Sequence, residues 1–527
     1  MPVISPGASR TDTTFRSILT PGGTGLAADR RTSDDALHDL ALDQVLNRLI
    51  KRAPAAADAF RTLCADETEI SYRQEVFAAL EDDALQAGVK TFLREIDRAD
   101  VADSGAEDAH YPFESELWRL EAVLRYVGAV AGLTDCLTES DSAATSTALS
   151  GLADYLAGYR ASTEFVHLEK EARGCRDELD ALRYNVLIRG GRVVVAPTDD
   201  EDDLREAVLD TFARFRSGDP EFASDTFRDP GLDHVQAWVL EKVALVHPGA
   251  FARLRSLVAS TLRYRDEIVQ RFSAEVWFYL AWLEHIAPLT HAALPFCAPV
   301  VSADAKELDA RDTFDVALAT RLVSDGEPVV RNDIGLTGGE RVIVVSGPNQ
   351  GGKSTTARAF GQLHHLAGIG CPVPGRSVRV FLCDRVLTAF EREEQLDDME
   401  GRLGAEIQRM HDLLAQASER TVLVLNELFS STALQDARVL TRDILHRILD
   451  VDALAICVTF IDELSRLDER TVSMVSEVDS RDAAVRTFRV MRRDADGRAY
   501  ARALASLHGL TGRQITQRMS IGEGRER

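Results

Sequence analysis

The chain has 527 residues, 45% of them hydrophobic and 28% charged, with a formal net charge of -24. That length accommodates roughly two to four domains and more than one sizeable core, and the composition excludes collagen-like and low-complexity classes. An acidic surface repels nucleic acid on average, so any DNA contact must use a local basic patch or an enclosed channel. The seven cysteines (Cys64, Cys136, Cys175, Cys297, Cys371, Cys383 and Cys457) include no CxxC pair. Such spacing fits neither a disulfide framework nor a zinc site, and suits a reducing cytosol. The opening stretch MPVISPGASRTDTTFRSILTPGGTG lacks the apolar centre of a secretory signal. The most apolar helical run, VWFYLAWLEHIAPL, is too short to span a bilayer and contains Glu284 and His285. A cytoplasmic protein without a membrane partner is expected.

Residues 1–35 are rich in Gly, Pro, Ser, Thr and Arg without periodic apolar positions, and read as a disordered tail. From about 36 the pattern is helical. ALHDLALDQVLNRLI and SELWRLEAVLRYVGAVAGL space their apolar residues at three and four, and EFVHLEKEARGCRDELDALRYN continues as a highly charged helix. VLIRGGRVVVAP has β-branched runs on either side of Gly190 and Gly191, predicting a short hairpin near 186–196. DDEDDLREAVLDTFARF, HVQAWVLEKVALV and AFARLRSLVASTLRYRDEIVQRF return to helix, as arms or as a bundle with solvated faces. Trp277, Phe278, Tyr279 and Trp282 read as helix core rather than a base-stacking platform.

From Pro295 the texture changes. PFCAPVV, FDVALATRLV, PVVRNDIGL and RVIVVSG are strand-like, and beyond them VRVFLCD, TVLVLNEL, ALAICVTF and RTFRVMRR alternate with helical stretches. Short buried strands separated by helices predict an α/β domain with a largely parallel sheet over 296–510, followed by a tail over 511–527.

Within that region Gly347, Pro348, Asn349, Gln350, Gly351, Gly352, Lys353 and Ser354 satisfy G-x-x-x-x-G-K-[ST]. The chemistry needs these residue types. Glycines let backbone amides turn inward around phosphates, and the following helix offers its positive end. Lys353 supplies a point charge for the β and γ phosphates, and the Ser354 hydroxyl is the candidate ligand for Mg²⁺. Average residue usage gives a chance match roughly 2 times in 100 in a chain of this length, and the buried strand before and helix after make chance the poorer account.

GPNQGGKST, which brings in Thr355, closely resembles the GPNMGGKST stretch of the MutS mismatch-repair ATPases. The resemblance runs through most of 325–510: GIGCPVPG resembles the family's VPA-type turn, LNELFSSTALQDA its DEIGRGTSTYDG, VTFIDEL its ATHYFEL, and GRAYARALASLHGLTGRQI its closing segment. Upstream, the helices and hairpin are similar to the family's core and lever region with the clamp reduced or lost, and no counterpart of the mismatch-reading domain is legible. FESE at Phe113 differs from the family's Phe-x-Glu, since Glu116 stands three residues on.

The resemblance implies a mixed fold, a mostly α-helical core and lever region over 36–295 followed by an α/β P-loop ATPase domain of the ABC type. It implies ATP and Mg²⁺ as ligands, a homodimer formed through the ATPase domain, and DNA as partner. It also gives Glu427 the role of catalytic, water-activating group. Three departures bear on turnover. The family's Asp-Glu pair is here Asn426-Glu427, and Asn accepts a hydrogen bond from a metal-bound water without bringing charge. The family's phosphate-sensing His is Phe460, which donates no hydrogen bond. The signature S-x-F-x-x-E-M is echoed only by Gly401, Leu403 and Glu406, in a run that reads equally as a solvated helix. Ser430, Ser431 and Thr432 replace Arg-Gly-Thr ahead of Asp436, either to bond across a dimer or to cap the next helix.

The leading expectation is a slow ATPase whose ATP-driven closure controls helical arms that grip DNA, in mismatch repair or other DNA maintenance. The alternative is a nucleotide-gated binding or scaffold protein with negligible hydrolysis. An SMC-like ATPase fits less well, because sustained heptads are missing. His364 and His365 are adjacent, face different sides of a helix and suggest no metal site. Arg376, Arg379 and Arg385 read as a basic patch or as ion-paired surface residues.

Overall fold

The computed structural model describes residues 15–23, 25–111, 113–189, 192–197, 232–391, 402–430, 432–478 and 486–495. The helix expected in DDEDDLREAVLDTFARF, the segment GRAYARALASLHGLTGRQI, Gly401, Ser431 and the tail over 511–527 lie outside the described residues. The fold is mixed, with many helices and mixed sheets. The chain forms two compact units, one of Asp82–Thr145 and Leu149–Ser273, the other of Met1–Glu81, Ser146–Ala148 and Ala274–Arg527. The helical region expected over 36–295 is therefore divided, with both its ends belonging to the unit that carries the large sheet. Helical periodicity reports that a face is buried, but not which core buries it.

The first unit is helical. Helices Asp83–Asp108 and Glu114–Glu139 run antiparallel, as the pairing of Glu95 with Arg125 at 3.0 Å and of Asp103 with Arg119 shows. Val89, Phe92 and Leu93 on one helix and Leu120, Val123 and Val127 on the other are buried, the stripe expected of amphipathic helices. The Asp82 side chain accepts from the amides of Ala84 and Leu85, and so fixes where the first of these helices begins. Strands Tyr184–Arg189 and Arg192–Pro197 pair antiparallel from Tyr184 opposite Pro197 to Arg189 opposite Arg192. Val186, Leu187 and Val194 on them are exposed.

The second unit holds a six-stranded sheet built from β1 (Val342–Ser346), β2 (Arg385–Phe390), β3 (Thr421–Asn426), β4 (Leu454–Val458), β5 (Thr471–Val478) and β6 (Arg486–Arg492). Their spatial order is β2-β3-β4-β1-β5-β6, parallel except for the antiparallel last pair. All five residues of β1 and of β4 are buried, which is why both read as unbroken apolar runs. Helix α1 (Lys353–Gly368) packs on β3 and β4 and is buried along most of its length. A smaller four-stranded sheet joins Val300–Ser302, Ser377–Phe381, Leu308–Thr313 and Asn332–Leu336 in that order.

Two expectations need correction. Residues 17–20 of the expected tail are packed: Ile18 is fully buried, and the Ile18 amide and Ser17 hydroxyl both donate to the Glu275 carboxylate at 2.9 Å. The completely buried Arg73 donates to the carbonyls of Leu19 at 2.9 Å and Ile369 at 3.0 Å. The partners come from 54 to 296 residues away in sequence, so no local pattern announces them. FDVALATRLV, expected as strand, forms helix Val316–Ser324, because the Asp315 carboxylate accepts from the amides of Ala317 and Leu318 and starts the first turn. Its β-branched residues had suggested strand, and the cap overrides them.

Phe278, Tyr279 and Trp282 are fully buried, the indole of Trp282 donating to the Pro372 carbonyl at 3.1 Å. His364 and His365 are also buried. Nε2 of His365 lies 3.0 Å from the Phe60 carbonyl and must donate to it, so Nδ1 accepts from the Thr32 hydroxyl at 3.1 Å. Burial pushes both imidazoles down to about 4 and keeps them neutral, against the smaller opposing effect of the backbone carbonyl each one meets.

Candidate nucleotide site

The site lies at the carboxyl ends of parallel strands, where β1 feeds the glycine-rich loop and the loop feeds α1. Gly347 and Gly352 have φ of 119° and 93°, a region that L side chains rarely enter. Gln350, at φ 59°, completes a loop that turns back on itself. Gly351 is buried, and a Cβ there would stand 2.1 Å from the Ser476 Oγ. Glycine is required at Gly351 by space and at Gly347 and Gly352 by backbone conformation. Helix α1 starts after Gly352 with no side-chain cap, leaving its first amides and its positive end directed at the loop.

Lys353 is 4% exposed. Its ammonium donates to the carbonyl of Gly347 at 2.9 Å, and lies 3.3 Å from both the Pro348 carbonyl and the Asn349 Oδ1. The Phe460 ring covers another side, its centroid 4.2 Å from the ammonium. Burial lowers the Lys353 pKa, with Arg486 acting the same way and Glu427 opposing it. On the next residue of α1, the Ser354 hydroxyl donates to the Asn426 Oδ1 at 2.8 Å. Thr355 is half-buried on the same turn, and the Thr356 hydroxyl donates to the Gly352 carbonyl at 3.0 Å.

Asn426 ends β3, and Glu427 follows in left-handed conformation with φ 54°, its amide donating to the Val458 carbonyl at 2.9 Å. Burial pushes the Glu427 carboxyl up, Glu391 adds to the shift, and Lys353 opposes it. A carboxylate shifted in this direction is a stronger base than an ordinary one, which suits it to taking a proton from water. The loop residues, Lys353, Ser354, Asn426, Glu427 and Phe460 are thus gathered at one end of the sheet.

Two residues of this cluster had no signal in the sequence. The Ser476 hydroxyl on β5 donates to the Gly351 carbonyl at 2.6 Å, and Nε of Arg486 on β6 donates to the Asn349 carbonyl at 3.1 Å. Both reach the loop from more than a hundred residues away, and only the strand order β1-β5-β6 brings them there. Glu406, in helix Arg402–Ala415, accepts from the Phe429 amide at 2.6 Å and so braces the turn after Glu427. The Ser430 hydroxyl donates to Glu391 at 2.8 Å instead of capping the next helix, whose cap position is Ala433 without a side-chain bond. Asp436 is exposed in the first turn of that helix. Arg376 pairs with Asp312, whereas Arg379 lines a separate groove and Arg385 is exposed at the start of β2.

The cradle fits a nucleotide's phosphates: glycines at 347, 351 and 352 let the loop lie close against β5 and β6, and the uncapped first amides of α1 face it. For Mg²⁺ the nearby donors are a hydroxyl, an amide oxygen and the Glu427 carboxylate. Such a set suits a metal held through phosphates and water rather than by a protein cage. Among the described residues no group of three or more His, Cys, Asp or Glu side chains makes a separate metal site. Nor is any described helix long and apolar enough to cross a membrane.

Residues 343–521 match the family model described as MutS domain V. The chain is 28% identical over 314 residues to the DNA mismatch repair protein MutS of Chlorobaculum tepidum, covering 58% of this chain and 34% of that protein. It is 27% identical over 283 residues to the protein of the same name from Erythrobacter litoralis, covering 52% and 31%. It is 31% identical over 143 residues to the DNA mismatch repair protein MSH3 of Phaeosphaeria nodorum, covering 27% and 13%. The chain spans about a third or less of the length of these curated relatives. The domain V match falls on the strands and loop that build the site, and this part of the chain is similar to the MutS family.

Proposed function

We propose that the chain binds ATP through the loop Gly347–Lys353, hydrolyses it slowly, and uses ATP-driven pairing of two copies to control helical arms that grip DNA during mismatch repair or related DNA maintenance. The observation that carries this reading is the convergence of Lys353, the Ser354–Asn426 pair and Glu427 around an amide-lined loop. Loop amides and the start of α1 hold the phosphates, Lys353 offsets their charge, and Ser354 with Asn426 holds the metal's water shell. Mg²⁺, when bound, supplies positive charge that neutralises the phosphates. Glu427 orients the attacking water and takes its proton, its raised pKa favouring that transfer. Slow turnover follows from Asn426, which offers an oxygen but no negative charge where a carboxylate would hold the metal shell more strongly.

DNA as partner rests on the relatives, whose names are those of DNA mismatch repair proteins. With a net charge of -24, a DNA contact here is local and basic. Fluorescence anisotropy with perfect, mismatched, branched and single-stranded DNA, with and without ATP, tests it. Binding that weakens steeply with salt supports the reading. No binding to any of the four at low salt rejects it.

A second reading, a nucleotide-gated binding or scaffold protein without appreciable turnover, is favoured by the neutral Asn426 and by Phe460 over Lys353. Steady-state hydrolysis measured beside the Glu427→Gln variant separates the two.

A further inference from the structure

We propose that the Phe460 ring is a latch on Lys353 that removes the site's preference for a third phosphate, so that the loop holds a nucleoside diphosphate at least as tightly as the triphosphate. The inference rests on the nucleotide-binding reading above and adds a specificity to it. An ammonium has three N–H donors, and three oxygens face that of Lys353: the Gly347 carbonyl at 2.9 Å, and the Pro348 carbonyl and Asn349 Oδ1 at 3.3 Å. The Phe460 ring, 4.2 Å away, closes a further side. With the residue only 4% exposed, a phosphate oxygen reaches the ammonium by displacing either the ring or a loop oxygen.

Displacing the ring is the easier of these. Phe460 follows β4 and is 50% exposed, so its outer face is free and swinging it away leaves no cavity in the core. While the ring stays, its electron-rich face repels an anion and offers no donor to a terminal phosphate. Asn426, bonded to Ser354, adds no negative charge to strengthen a metal that would offset the extra charge of a triphosphate. The loop amides and the start of α1 hold either nucleotide independently of the ring, and the ring withholds only the ammonium's charge, which the more highly charged triphosphate needs most.

Isothermal titration of the intact chain with ADP and with the non-hydrolysable triphosphate AMP-PNP, both with Mg²⁺, tests the latch. The wild type should bind ADP as tightly as AMP-PNP or more tightly. Phe460→Ala should tighten AMP-PNP by about tenfold or more while changing ADP by less than about threefold, the range expected for losing a desolvated cation–π contact. Unchanged ADP binding serves as the check that the variant is folded. A wild type that prefers AMP-PNP by more than about tenfold, or a variant with an unchanged preference, overturns the latch. A wild type that binds neither nucleotide overturns the nucleotide-binding reading itself, and the latch with it.

Discussion

Replacing Gly351 with alanine should weaken ATP binding by about 100-fold, the worth of one or two charge-assisted amide contacts to phosphate. The cause is steric. A Cβ at Gly351 would stand 2.1 Å from the Ser476 Oγ, 3.2 Å from its Cβ and 3.0 Å from the Pro348 carbonyl, so turning the hydroxyl aside would not relieve the clash. Ser476 also donates to the Gly351 carbonyl at 2.6 Å, so the clash falls on the contact that holds the loop against β5. Overpacking of this kind costs about 1–3 kcal/mol of stability, and displaced amides no longer converge on a phosphate. The double variant Gly351→Ala with Ser476→Ala should recover part of the affinity, because it removes the nearest atom but not the Pro348 carbonyl. Equilibrium titration with a fluorescent ATP analogue, alongside thermal unfolding, measures both. Full affinity in the single variant would show that the loop does not enclose phosphates as described.

Glu427→Gln should lower turnover by about 10²- to 10⁴-fold, the usual contribution of a positioned general base. The exchange keeps shape and removes the proton acceptor, so ATP binding should be retained. Loss of a carboxylate that draws on Lys353 electrostatically leaves that cation freer for phosphate. The variant should therefore accumulate an ATP-bound pair of chains, visible as an increase in mass by light scattering. Equal hydrolysis by wild type and variant would remove Glu427 from the chemistry and leave the nucleotide-gated binding protein as the better account.

The loop, β1 and α1 were legible because their signals are local: an apolar strand, glycines at fixed spacing, then a helix beginning with Lys353. Asn426 and Glu427 were legible for the same reason, as the end of one buried strand. What stayed hidden is what the sheet order creates. Ser476 and Arg486 lie on strands that become neighbours of the loop only once β5 and β6 pack beside β1. Ser17 and Ile18 looked like tail because Glu275, their partner, is more than 250 residues on. Phe460 was legible as a residue without a hydrogen-bond donor, whereas its seat over the Lys353 ammonium needed the geometry. The helix at Val316–Ser324 was misread because β-branched content outweighed the Asp315 cap in the local pattern.

Everything proposed for this chain depends on Lys353 and the amides around it gripping a triphosphate. The most direct test is a titration of wild type and Lys353→Ala with ATP and Mg²⁺, following heat and molecular mass together. Removing a buried, desolvated cation from a phosphate site costs several kcal/mol, so affinity should fall by about 100-fold or more, and ATP-dependent pairing should vanish. Identical affinity and identical mass with and without the lysine would contradict the account.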